Sequence, residues 1–201
     1  MRRPRTWQAG RYSTRRTSQV AWRARCNGGH KGPGLILYLD TSALVKLYVE
    51  EDGTKDVQRA VDSAESVVTS AVAYPEARSA FARLERDGYL SPEEHRAVVA
   101  ALDREWPSYE VVDVTRDVAG IAGTLAARHL LRGFDAVHLA SAVVLKAARG
   151  LYSREASERG EAEMPPPEVR ILTYDGSLLA AARGEDLAYE MPNAVSEDVP
   201  I

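Results

Sequence analysis

Cysteine is nearly absent from this chain. Cys26 is the only one among 201 residues, so no disulfide can form within it, as fits a reducing cytoplasm. Histidine is scarce as well, with four scattered residues, and the two shortages together argue against a zinc centre, which draws on Cys and His. No apolar stretch approaches the roughly 20 residues needed to cross a bilayer, so no membrane span is expected, and no internal repeat is visible. Acids are missing from residues 1–34, which hold nine of the 26 Lys and Arg and leave 17 against 29 acids in the remainder. That remainder, at a net charge of −12, is a poor generic binder of nucleic acid, because the phosphate backbone rewards clustered positive charge. Any nucleic-acid substrate must be held by local patches, a metal or a partner.

What is present is an ordinary globular composition, 45% hydrophobic and 27% charged, long enough for one core. Residues 1–34 lack apolar periodicity and end in Gly28-Gly29-His30-Lys31-Gly32-Pro33-Gly34, so they are expected to be disordered. Three readings of this stretch stay open: a basic arm for RNA, an organelle-targeting leader, or upstream sequence read in frame before a start near Leu35. From Leu35 to residue 191 short apolar runs alternate with helical stretches, which predicts an α/β fold: one three-layer α/β/α domain around a mostly parallel sheet of about five strands. The expected strands are Leu35–Leu39, Ser66–Thr69, Glu110–Val114, Val169–Thr173 and Leu187–Glu190. Helices are expected near Ser42–Glu50, Thr54–Ala64, Ala71–Asp87, Pro92–Trp106, Asp117–Leu131, Asp135–Arg149 and Ser177–Ala182. Ser91-Pro92-Glu93-Glu94 is a helix start, with a cap, a proline and first-turn acids. Leu151–Glu168, polar and closed by Pro165-Pro166-Pro167, predicts a mobile surface insertion, and residues 192–201 a C-terminal tail.

Four acids recur in matching settings. Asp40 follows the first strand and Asp175 follows Leu172-Thr173-Tyr174; ligands of an open parallel sheet bind beyond such carboxyl ends. Asp135 opens a helix that is apolar nearly all round, with His138 and Ser141 its only polar interruptions before Lys146, so its first turn is anchored near the core. Glu76 lies beside Val72, Ala73 and Ala80, where a carboxylate is costly unless paired or bound to a metal. Each Asp could instead merely cap a helix, and Glu76 could pair with Arg78 or Arg83 or face water. Their joint recurrence at one sheet edge favours a common site. An all-oxygen set suits Mg²⁺ or Mn²⁺, which can activate a water for in-line displacement at phosphorus. Without a cation the carboxylates repel, and at least one pKa should rise.

Leu35–Lys46 (LILYLDTSALVK), Ala73–Arg83, Gly133–Ala142 (GFDAVHLASA) and Leu172–Ala182 (LTYDGSLLAAA) together resemble the PIN-domain nucleases, most closely the VapC toxins of bacterial toxin–antitoxin pairs. The resemblance spans about residues 35–191. It implies a single-stranded RNA endonuclease that uses Mg²⁺ or Mn²⁺, is usually a homodimer, and is held inactive by a cognate antitoxin. Asp40, Glu76, Asp135 and Asp175 match the family's acidic quartet as metal ligands and catalytic residues. Thr41 or Ser42 matches the hydroxyl residue that follows the first Asp. His138 falls in a matched motif and is read as a supporting buried imidazole rather than a general acid or base. The 151–168 insertion and the basic leader both depart from the usual compact toxin. Asp117 is explained by the helix dipole, and Arg78, Arg83 and Arg86 by a solvated helix face, with RNA or antitoxin contact as the alternative. Two rivals stand beside this reading. One is a haloacid-dehalogenase-like phosphotransferase, against which Ser42 counts, because a second Asp is usual at that position. The other is a non-catalytic PIN-like binding module.

Overall fold

A computed structural model of the chain describes residues 34–159 and 166–190. The leader before Gly34 and the tail after Glu190 lie outside the described residues.

The sheet is built on β1 (Leu35–Leu39), whose five residues form a continuous apolar run with burial on both faces. Such runs mark strands covered by helices on both sides. Around it lie β2 (Ser66–Ser70), β3 (Glu110–Val112), β4 (Glu168–Leu172) and β5 (Ala188–Glu190), in the order β3-β2-β1-β4-β5, every pair parallel. Side chains alternate across each strand. Leu37 and Leu39 therefore join one core with α1 (Thr41–Val45), α2 (Thr54–Ser63), α3 (Ala73–Arg86) and α4 (Pro92–Glu105). Ile36 and Tyr38 join a second core with α5 (Arg116–His129), α6 (Gly133–Glu158) and α7 (Gly176–Gly184). These two cores make the three layers. Because β2 flanks β1 on one side and β4 on the other, the strand order reverses there and opens a crevice at the carboxyl ends of the strands.

The helix starts follow local chemistry. Ser91 and Glu94 form a reciprocal capping box ahead of Pro92, and Thr115 caps α5 through the amide of Val118. Three expectations are corrected. The helix after β1 ends at Val45 and continues only as turns, so it is much shorter than Ser42–Glu50. Asp135 does not open its helix; α6 begins at Gly133 with Arg132 as the cap, and Asp135 sits inside the first turn. The same helix runs on to Glu158, so the first half of the expected surface insertion is helical. Residues 151–158 hold helix-compatible side chains with no proline, and Arg159 pairs with Glu155 one turn back. Residues 160–165 lie outside the described residues.

Candidate active site

Asp40 leaves β1 at its carboxyl end and caps α1, accepting the Ala43 amide on Oδ1 at 3.0 Å. Only 5% of its surface is exposed. Ser42 Oγ donates to it at 2.8 and 2.9 Å, and Thr173 Oγ1 donates to Oδ2 at 2.8 Å. Burial pushes its carboxyl pKa upward, against the pull of His138 and these hydrogen bonds. Ser42 is held in turn by the amide of Tyr174 at 2.8 Å. Tyr174 is anchored through its hydroxyl to the Gly53 carbonyl at 3.0 Å, with Lys46 Nζ 4.2 Å above its ring. Lys46 is itself paired with Glu51 at 2.7 Å.

Glu76 lies in the first turn of α3, at the positive end of the helix dipole. Its Oε2 accepts Thr41 Oγ1 at 2.5 Å and lies 3.0 Å from His138 Nε2. Desolvation raises its pKa, but the His138 and Thr41 hydrogen bonds together outweigh that and leave it below the ordinary carboxylate range. The two hydroxyls after β1 thus divide the work: Ser42 holds Asp40 and Thr41 holds Glu76.

His138 is 2% exposed, and both ring nitrogens are occupied, Nδ1 by Tyr38 Oη at 3.0 Å and Nε2 by Glu76 and Thr41. The imidazole is therefore a buried group hydrogen-bonded on both sides, next to Glu76. Asp175 follows β4 and caps α7 through the Leu178 amide at 2.9 Å, and its own amide donates to Thr173 Oγ1 at 3.0 Å. Asp135 is half-buried and makes no side-chain hydrogen bond among the described residues. Its pKa is raised by desolvation and then by the charge of Asp175, with Glu76 and Asp40 adding to it; Arg132 pulls the other way. Asp135 thus feels the charge of each of the other three acids. Among the described residues, no Lys or Arg forms an ion pair with any of them.

The grouping is open. Among the described residues no three acid, histidine or cysteine side chains close into a ready-made metal cage. The donor chemistry nevertheless fits a hard divalent cation: four carboxylates, and an imidazole whose nitrogens are both engaged elsewhere. Asp40 and Asp175 cap helices and border the crevice at once. Asp135 caps no helix and sits inside the first turn of α6.

Three residues of this corner were not anticipated: Tyr38, Thr173 and Tyr174. A tyrosine inside the buried run LILYL was a signal for the first, because a buried phenol needs a partner. Asp117 is exposed in the first turn of α5, as the dipole reading expects. Arg78 pairs with Asp103 at 3.4 Å and Arg86 with Asp87 at 3.1 Å on an exposed face.

Comparison with known proteins bears on this corner. The PIN domain profile matches residues 37–151. Ribonuclease VapC45 of Mycobacterium tuberculosis (strain CDC 1551 / Oshkosh) is 38% identical over 114 residues, covering 55% of this chain and 76% of that protein. Ribonuclease VapC47 of the same strain is 28% identical over 164 residues, covering 80% of this chain and 99% of that protein. Among solved structures, FitAcB from Neisseria gonorrhoeae superposes with a TM-score of 0.51 at 20% identity, over 78% of this chain and 97% of that one. At that identity the likeness speaks for the fold alone.

Proposed function

The chain belongs to the PIN-domain family and is homologous to the VapC ribonucleases, and on that premise we propose that it is a VapC-like ribonuclease toxin that hydrolyses RNA phosphodiester bonds with Mg²⁺ or Mn²⁺. The observation that supports this reading most is that Asp40 and Asp175 stand side by side at the carboxyl ends of the paired strands β1 and β4, where the strand order reverses, with Glu76 tied to Thr41 next to Asp40. Four carboxylates sharing one region gain from a divalent counterion. Asp40, Glu76, Asp135 and Asp175 would hold the cation. When bound, it supplies Lewis acidity that lowers the pKa of water and offsets charge on the phosphate.

The chain's own residues do the positioning. Ser42 and Thr173 fix the orientation of Asp40, Thr41 and His138 fix Glu76, and the cap of α7 fixes Asp175. Attack by water leaves a 5′-phosphate and a 3′-hydroxyl and requires nothing of the ribose 2′-hydroxyl. Preference for RNA therefore arises in binding. A body of net charge −12 repels bare phosphate, so the cation also serves to admit the substrate. The partners that complete this reading are a second copy of the chain and a cognate antitoxin, acting in the cytoplasm. No helix among the described residues is long and apolar enough to cross a membrane.

The test is cleavage of single-stranded RNA by the purified full chain in Mn²⁺ or Mg²⁺, with the ends of the products analysed. Expected are 5′-phosphate products that vanish on chelation and fall at least about a hundredfold in Asp40→Asn. Cyclic 2′,3′-phosphate ends, or equal activity in Asp40→Asn, would refute the reading.

A further inference from the structure

Glu76 is held asymmetrically. Its Oε2 takes both the Thr41 hydroxyl at 2.5 Å and His138 Nε2 at 3.0 Å, while Oε1 has no partner among the described residues. A carboxylate has no hydrogen to give, so the one between it and Nε2 must ride on the ring. At the other side of the ring, Nδ1 faces Tyr38 Oη at 3.0 Å. Tyr38 is wholly buried at the centre of β1, and burial holds its hydroxyl far above the ordinary phenol range, so it keeps its hydrogen. Its ring meets the imidazole edge-on, with centroids 6.0 Å apart. The strand thus grips the imidazole, and the imidazole grips the carboxylate.

We propose that Tyr38 and His138 are positioning residues: the Tyr38 O–H donates to Nδ1, which selects the tautomer with hydrogen on Nε2, and that hydrogen fixes Glu76 with only Oε1 free for a cation. The partner of one imidazole nitrogen sets which nitrogen donates at the other. Tyr38 lies on the opposite sheet face from α3, in the second core with α6. The relay therefore couples the placement of Glu76 to the packing of α6 on β1. It rests on the ribonuclease reading only in naming a cation as the ligand of Oε1.

The experiment uses the full chain labelled with ¹⁵N-histidine, free of metal, at pH 8. The His138 ring signals are assigned by their loss in His138→Gln. Expected is hydrogen on Nε2 and a bare, hydrogen-bonded Nδ1, with the hydrogen-bond shift of Nδ1 lost and the Nε2 tautomer less dominant in Tyr38→Phe. Manganese titration by calorimetry should then show affinity weakened about tenfold in Tyr38→Phe and in His138→Leu. His138→Gln, whose amide can still donate to Glu76, should stay within about threefold of the parent. Should His138→Leu fail to fold, Tyr38→Phe and His138→Gln carry the comparison. Hydrogen on Nδ1 in the parent protein, or manganese affinity unchanged in Tyr38→Phe, would overturn the relay. Failure of the parent to cut RNA would sink the ribonuclease reading and leave these two readouts to decide the relay.

Discussion

Thr173 bridges two acids: its hydroxyl donates to Asp40 at 2.8 Å, and the same oxygen accepts the Asp175 amide at 3.0 Å. One buried side chain thereby ties the ends of β1 and β4 across the crevice. Thr173→Val keeps the shape and removes the hydroxyl, which leaves Asp40 with one donor fewer in a buried setting. The expected cost is about 1–3 kcal/mol of stability and roughly 10–100-fold in cleavage. Denaturant unfolding and a steady-state assay measure the two effects. Parental activity in Thr173→Val would show that the bridge does not position Asp40.

A cation that binds only the folded chain should stabilise it. At a free concentration about 100-fold above Kd the gain is about 2.7 kcal/mol, or roughly 5–10 °C in melting temperature for a domain of this size. Asp135→Asn should lose most of that gain; an undiminished shift would argue against Asp135 as a ligand. The metal-free protein provides a second check. The folded pKa of Asp135 is raised, so its stabilising contribution is full below the ordinary carboxylate range and disappears as pH rises through the folded value. The Asn variant is free of that loss. It should melt slightly above the parent at pH 8, by about 1–2 °C, small because the side chain is half in water.

Gly53 has a φ of 90°, and a Cβ placed there would meet Cε1 of the Tyr174 ring at 2.6 Å. Gly53→Ala therefore strains the backbone by roughly 1–2 kcal/mol and displaces the residue whose amide fixes Ser42. Gly88, with a φ of 80° and nothing within 4 Å of an added Cβ, is the control. Both alanine variants should lose stability, and only Gly53→Ala should lose activity. Equal activity in the two would detach Tyr174 from the site.

Most of the scaffold was legible because burial on both sheet faces writes itself into β1 as an uninterrupted apolar run, and because Ser91-Pro92-Glu93-Glu94 states its own cap. The positions of Asp40 and Asp175 were legible for the same reason: strand ends are marked by where the apolar run stops. Side-chain partnering was not. Nothing local says that Thr41 would turn to Glu76, 35 residues away, while Ser42 stayed with Asp40. Pairs such as Thr173 with Asp40, 133 residues apart, depend on strand register. Polarity after Leu151 predicts a loop, yet α6 runs on to Glu158, because polarity alone does not end a helix without a breaker.

Glu105 offers a pH test remote from the crevice. It is the last residue of α4, 8% exposed, with Tyr48 beside it and Arg104 3.6 Å away. Tyr48 also meets the Tyr109 hydroxyl at 2.9 Å. Desolvation raises the Glu105 pKa above its ordinary value, more than Tyr48 and Arg104 lower it, and a negative charge at a helix C-terminus is further disfavoured. A raised folded pKa means that stability is full below the unfolded value, near 4.3 for Glu, and is lost as pH climbs through the folded one. Glu105→Gln retains an acceptor for Tyr48 and carries no charge. It should therefore match the parent near pH 4 and exceed it at pH 8 by about 1 kcal/mol, or roughly 2–4 °C. Melting curves across that range decide the matter, and a difference that does not change with pH would mean that the carboxylate is not strained by its burial.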